Sequence, residues 1–155
     1  MKIRLSFIFI FILITFILLV FFKSLFEDKS YVPKKINNKI ENISIKEFHS
    51  DNNLQLKNLF DNEKYIIINI WASWCLPCRQ EHRYITILSD TNNLKIIGLN
   101  YKDKKNNAIK FLNELGNPFS KILTDPDGII SISLGAYGVP ESFLLNNKSR
   151  IIICI

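Results

Sequence analysis

The feature that most constrains this chain is an apolar run that ends at two closely spaced cysteines and resumes as a helix. Tyr65 to Trp71 reads YIIINIW, a short stretch of β-branched and aromatic residues of the kind that forms a strand buried on both faces. Cys75-Leu76-Pro77-Cys78 follows three residues later. From Pro77 to Ser89, Ile85, Ile87 and Leu88 are interspersed with Arg79, Gln80, Glu81, His82 and Arg83, which predicts a helix opened by proline in its first turn. Leu94 to Asn100 is a second apolar run, and Asn106 to Leu115 reads as a helix stopped by Gly116, with Pro118 beyond it. This alternation implies parallel strands joined by crossover helices. Lys121 to Leu123 adds a short strand before the Asp125-Pro126-Asp127-Gly128 turn, and Glu141 to Leu145 with Arg150 to Ile155 reads as an antiparallel hairpin through Asn146 to Ser149. The expected sheet is therefore mixed.

The first residues set the organisation. Leu5 to Phe22 reads LSFIFIFILITFILLVFF, with no charge and only Ser6 and Thr15 as polar interruptions. At about 1.5 Å per residue such a helix spans nearly 30 Å, the thickness of a bilayer core. A cleaved signal peptide would need small residues after the run, whereas KSLFEDKS follows, so residues 1–26 are expected to be an uncleaved transmembrane signal anchor. A lipoprotein would need a cysteine here, and the first is Cys75. Lys2 and Arg4 precede the span while Glu27 and Asp28 follow Lys23, which keeps the amino end in the cytoplasm and exports the rest to the periplasm from the inner membrane. Residues 27–42, polar and carrying Pro33, read as a linker, leaving one domain over 43–155 of the 155 residues.

Two cysteines three apart at the start of a helix share a face and can close a small disulfide. The free amide donors and positive dipole end there stabilise a thiolate at Cys75, making it the expected nucleophile. The competing reading is an inert pair or half of a structural zinc site, but zinc asks for four ligands and no second CxxC exists. No metal and no cofactor are expected. His82, four positions after Cys78, is expected on the helix surface, Trp71 in the core, and Trp74 over the disulfide. Cys154, in the run RIIICI, is expected to be a buried strand thiol. The formal charge is +6, but the lysines are scattered without a dense basic stripe, so no nucleic-acid partner is expected. The densest run, Lys102 to Lys105, includes Asp103 and reads as a solvated loop or helix start.

The order of strands and helices with a cysteine pair at the first strand-to-helix junction is the thioredoxin arrangement. NIWASWCLPCRQE at 69–81 and GAYGVPESF at 135–143 resemble the DsbE/CcmG family of cytochrome c biogenesis proteins, as do Tyr101-Lys102-Asp103, Leu115-Gly116-Asn117-Pro118 and the anchor. The resemblance implies a thioredoxin-like α/β fold with a mixed sheet flanked by helices, here lacking the usual C-terminal helix because the chain stops at Ile155. It also implies a reductase that keeps the haem-binding cysteines of apocytochrome c as thiols, drawing electrons from a membrane thiol transporter and working with the cytochrome c maturation machinery. Carried over residue by residue, Glu81 resembles the family acid that governs cysteine ionisation, with a solvated surface glutamate as the competing reading, and Glu141 is the other family acid. Asn69 stands where thioredoxin has a buried aspartate, and Val139-Pro140 resembles the cis-proline loop that offers backbone groups to an extended substrate. Trp74, Val139, Pro140 and Glu141 are the expected substrate contacts, with Pro77 and Asn69 in support. Two alternatives remain open: a general periplasmic reductase of the same superfamily, and a tethered module that binds apocytochrome without turnover.

Overall fold

The computed structural model describes residues 2–26, 43–50, 52–60, 64–90, 94–148 and 150–154, with side chains in the first helix from 7 to 23. The expected linker over 27–42 lies outside the described residues. The chain divides into two units, Met1–Val32 and Pro33–Ile155.

In the first unit, Lys2–Phe26 forms a 25-residue helix, α1, whose described side chains are all exposed. The transmembrane helix expected here is not shown: among the described residues no helix is long and apolar enough to cross a membrane.

The second unit runs β1 (Ser44–Glu47), β2 (Asn53–Gln55), a 3-10 turn (Leu56–Leu59), β3 (Tyr65–Trp71), α2 (Leu76–Ser89), β4 (Lys95–Tyr101), α3 (Lys105–Leu115), β5 (Lys121–Asp125), α4 (Ile129–Leu134), β6 (Glu141–Asn146) and β7 (Ile151–Cys154). The described strands form one seven-stranded sheet in the order β2-β1-β5-β4-β3-β6-β7. The pairs β3/β4 and β4/β5 are parallel, as the two intervening helices require, and the other pairs are antiparallel. The sheet is mixed as expected, with β1, β2 and α4 added to the elements legible beforehand.

Strand periodicity sorts the core into two faces. Ile66, Ile68 and Ile70 of β3 join Ile97, Leu99 and Leu123 on one face, closed by Leu59, Leu134 and Phe143. Trp71 of β3 points the other way, with Ile96, Ile122 and Phe119, and is covered by Ile85 of α2 and by Ala108, Phe111 and Leu112 of α3. Both cysteines belong to this second face. Gly98 in β4 is what lets it close, since a Cβ there would lie 2.7 Å from the Phe119 ring and 2.8 Å from Trp71 Nε1. The Trp71 and Phe119 rings consequently stack with centroids 5.5 Å apart.

Candidate active site

Strand β3 delivers the chain to a tight turn in which Cys75 N–H donates to Ala72 O at 3.2 Å. Cys75 then has the extended backbone of a helix N-cap, and its sulfur accepts the Cys78 N–H at 3.1 Å. In this position a cysteine sulfur replaces the usual capping oxygen for one of the orphan amides of the first turn. Cys75 and Cys78 are joined in a disulfide with Cα atoms 5.3 Å apart, and both are buried. Pro77 falls in the first helical turn, where it removes no intrahelical bond.

The Val139-Pro140 peptide bond is cis. Val139 packs against the cluster that contains both cysteines, and Pro140 shares with Pro77, Glu81 and Tyr84 of α2 an open groove of about 680 Å³. The proline loop and the cysteine helix thus face one another, which the sequence anticipated by resemblance alone.

Asn69, buried beneath α2, uses its side-chain amide twice: Nδ2 donates to Ser142 Oγ at 3.0 Å and to Glu81 Oε1 at 3.3 Å. Glu81 is half-buried, and burial raises its carboxyl pKa above the usual range, partly countered by the Asn69 hydrogen bond. It is not a freely solvated surface glutamate. Glu141, next to the cis-proline, accepts Tyr137 N–H at 2.9 Å on one oxygen and the Cys154 thiol at 3.0 Å on the other. Burial and that carboxylate push the Cys154 thiol up to about 12, so it persists as a protonated donor. Cys154 lies on β7 as expected but is only half-buried.

Trp71 is buried as expected. Trp74 is 59% exposed, its indole N–H donating to Lys102 O at 3.0 Å with its ring tilted against Tyr101. The surface position expected for His82 is overturned. Its ring is 4% exposed, Nε2 lies 2.9 Å from Gly116 O, and it meets the rings of Phe111 and Phe119 edge-on. The reason is helical spacing, since Cys78, His82 and Ile85 form the buried stripe of α2, leaving Leu76 and Ile87 exposed. Burial holds the imidazole pKa below its ordinary value, partly countered by the Gly116 hydrogen bond and reinforced by the Arg79 charge.

One group close to the site escaped the sequence reading. Asp103, set among lysines, accepts hydrogen bonds from Ser73 N–H at 2.6 Å and Ser73 Oγ at 2.7 Å, immediately before Trp74 and Cys75. Its only sequence signal was membership of the Tyr101-Lys102-Asp103 motif.

Residues 35–153 match the redoxin family. The chain is 46% identical over 90 residues to the thiol:disulfide interchange protein DsbE of Tatumella citrea, covering 58% of this chain and 48% of the relative. It is 46% identical over 89 residues to the thiol:disulfide interchange protein CycY of Rhizobium leguminosarum, covering 57% and 48%. The aligned stretch thus spans about half the length of these curated relatives. Among solved structures, a secreted disulfide oxidoreductase of Mycobacterium tuberculosis superposes with a TM-score of 0.64 at 15% identity, covering 77% of this chain and 85% of the other, a likeness of fold. With a redoxin match over most of its length, these relatives and a disulfide at the mouth of α2 opposite a cis-proline, the chain belongs to the redoxin family, in the DsbE/CcmG group of thiol:disulfide interchange proteins.

Proposed function

We propose that this chain is a membrane-anchored thiol:disulfide oxidoreductase that reduces the haem-attachment cysteines of apocytochrome c on the periplasmic side of the cytoplasmic membrane. The observation that carries the reading is the Cys75–Cys78 disulfide at the start of α2, in the same face as Val139 and beside a groove bounded by Pro77, Glu81 and Pro140.

In the reduced protein the Cys75 thiolate, aided by the first-turn amides, attacks one sulfur of the substrate disulfide. The substrate S–S bond breaks, a mixed disulfide forms at Cys75, and the departing sulfur takes a proton. Cys78 loses its proton and attacks the Cys75 sulfur, releasing the second substrate thiolate, which is protonated in turn. Two electrons and two protons have then passed to the substrate, and the protein holds the Cys75–Cys78 disulfide described above. Glu81, half-buried one helical turn after Cys78, is placed to take up the Cys78 proton, its raised pKa making it a better base than an ordinary carboxylate. The backbone at Val139-Pro140 is suited to pair with an extended substrate, with Trp74 and Glu141 flanking it. A membrane thiol transporter returns the electrons. In an oxidising compartment the two cysteines of a haem-attachment motif would otherwise pair, so a local reductant meets a chemical need. The anchor rests on the uncharged run Leu5–Phe22 and on the helix over Lys2–Phe26.

Cys78→Ser removes the resolving thiol and leaves the nucleophile, so the mixed disulfide should accumulate. Expressed in the exported compartment, the variant should be recovered covalently joined to an apocytochrome c through its haem-attachment cysteines, or to the membrane transporter. Adducts with many unrelated exported proteins would make it a general reductase. No adduct from a folded variant would leave only a tethered binding module. Cys75→Ser is the matched control and should trap nothing.

A further inference from the structure

The two residues between Ala72 and Cys75 are held from outside their own turn. Ser73 gives both its N–H and its hydroxyl to the Asp103 carboxylate, at 2.6 Å and 2.7 Å, one on each oxygen. The same carboxylate accepts Asn100 Nδ2 at 3.1 Å and Lys104 N–H at 2.8 Å, so each oxygen has two donors. Trp74 gives its indole N–H to the carbonyl of the preceding residue, Lys102.

That carbonyl is aimed by an unusual backbone. Lys102 has φ +43, a left-handed conformation that a residue with a Cβ seldom adopts unless its surroundings hold it. Here they do: Lys102 N–H donates to Asp125 O at 3.0 Å, and Gly128, itself at φ +74, leaves room where a Cβ would lie 2.5 Å from Lys102 Cε and 2.6 Å from the Tyr101 ring. Thus β4, β5 and the turn before α4 together build a rigid ledge for the Ser73-Trp74 turn. The result is a tryptophan that is 59% exposed yet fixed in place, next in sequence to the nucleophile.

We infer that Asp103 is a positioning residue, which through Ser73 and with the Lys102 carbonyl holds the Trp74 ring and Cys75 as a preformed pair for docking a polypeptide disulfide. An exposed aromatic fixed before binding loses little further freedom on contact, so it favours a substrate large enough to reach it. A small disulfide that touches only Cys75 does not reach the Trp74 ring and gains nothing from its being fixed. The inference rests on the reductase reading above and names how that site favours a polypeptide.

The test uses the full chain in detergent micelles, reduced beforehand, against two probes: an oxidised peptide carrying a CxxCH motif, and hydroxyethyl disulfide. In Asp103→Asn and in Ser73→Ala the ratio of peptide rate to small-disulfide rate should fall about tenfold, the factor equivalent to one net hydrogen bond. The double variant should lose no more than the stronger single one, because both act on one link. Separately, the Trp74 indole N–H resonance, identified by its loss in Trp74→Phe, should exchange with D2O faster in both variants. A ratio within twofold of the unaltered chain, or an unchanged exchange rate, overturns the inference. Ser73→Ala deletes a single hydroxyl and keeps the test open if Asp103→Asn does not fold. An unaltered chain that reduces neither probe defeats the reductase reading itself, a result visible before any variant is made.

Discussion

Replacing His82 by glutamine should flatten the acid side of the stability profile. The imidazole is 4% exposed, between Phe111 and Phe119, with Nε2 2.9 Å from Gly116 O. For that contact to be a hydrogen bond from the neutral ring, Nε2 carries the hydrogen and the carbonyl accepts; a second proton would go on Nδ1 and bring a full charge into the core. Burial therefore depresses the folded-state pKa below the ordinary 6.5, with the Arg79 charge adding to it. A depressed pKa stabilises the fold fully above about pH 6.5 and loses that contribution as pH falls toward the folded value, because the unfolded chain binds the proton first. Within that window the slope is at most about 1.4 kcal/mol per pH unit. For a domain of this size one such unit corresponds to a fall of about 6 °C in Tm.

Thermal unfolding of the oxidised full chain between pH 5 and 8 measures this. Glutamine keeps an amide that can reach Gly116 O but cannot ionise, and forfeits the ring contacts, worth about 1 kcal/mol. His82→Gln should therefore melt lower than the unaltered chain at pH 7.5, and the gap should narrow toward pH 5. Subtracting the two profiles cancels other titrating groups, among them Glu47, whose lowered pKa acts at more acid pH. Parallel profiles across the whole range would refute the reasoning.

Glu81→Gln should stabilise the fold near pH 7.5 and lose that advantage below about pH 4.5, since a carboxyl with a raised folded pKa is penalised only when ionised; the same variant should lower the thiol titration of the reduced cysteine pair, and an unchanged titration would detach Glu81 from it. Gly98→Ala forces a methyl into contacts of 2.7 to 2.8 Å with Phe119 and Trp71 and should cost about 1–3 kcal/mol in denaturant unfolding, a neutral result meaning that these rings can shift apart.

Legibility in the sequence followed length and contrast. β3 was read with its observed limits because seven consecutive residues form one apolar run bounded by charge and by a turn, and α2 differs from expectation by one residue at its start. β1, with four residues, and α4, with six, are too short to display a period. α4 is moreover held at its start by the buried Asp125 carboxylate at the end of β5, which accepts Ser131 N–H at 2.8 Å and its hydroxyl at 2.7 Å. His82 was misplaced because a histidine between charged residues looks solvated, although its spacing from Cys78 and Ile85 already put it on the buried stripe. Asp103 could not be found from charge pattern at all, since its partner Ser73 lies 30 residues away and meets it only when β3 and β4 pair in parallel.

The amide at position 69 sets how the Glu81 carboxyl can titrate. Asn69 sits on β3, Glu81 on α2 and Ser142 on β6, and the single Nδ2 group joins all three because an amide nitrogen has two hydrogens to give. An ionised aspartate there would have no hydrogen to donate and would set a second carboxylate against Glu81 at about the present 3.3 Å contact. Two such groups cannot both ionise in a buried site, so their titrations would merge and neither would have a pKa of its own. With asparagine, Glu81 titrates beside a fixed neutral donor, and desolvation outweighs the opposing Asn69 hydrogen bond to raise its pKa. The same amide ties Glu81 to Ser142, two residues beyond the cis-proline, so the acid on α2 is linked through Asn69 to the strand that leads out of the proline loop.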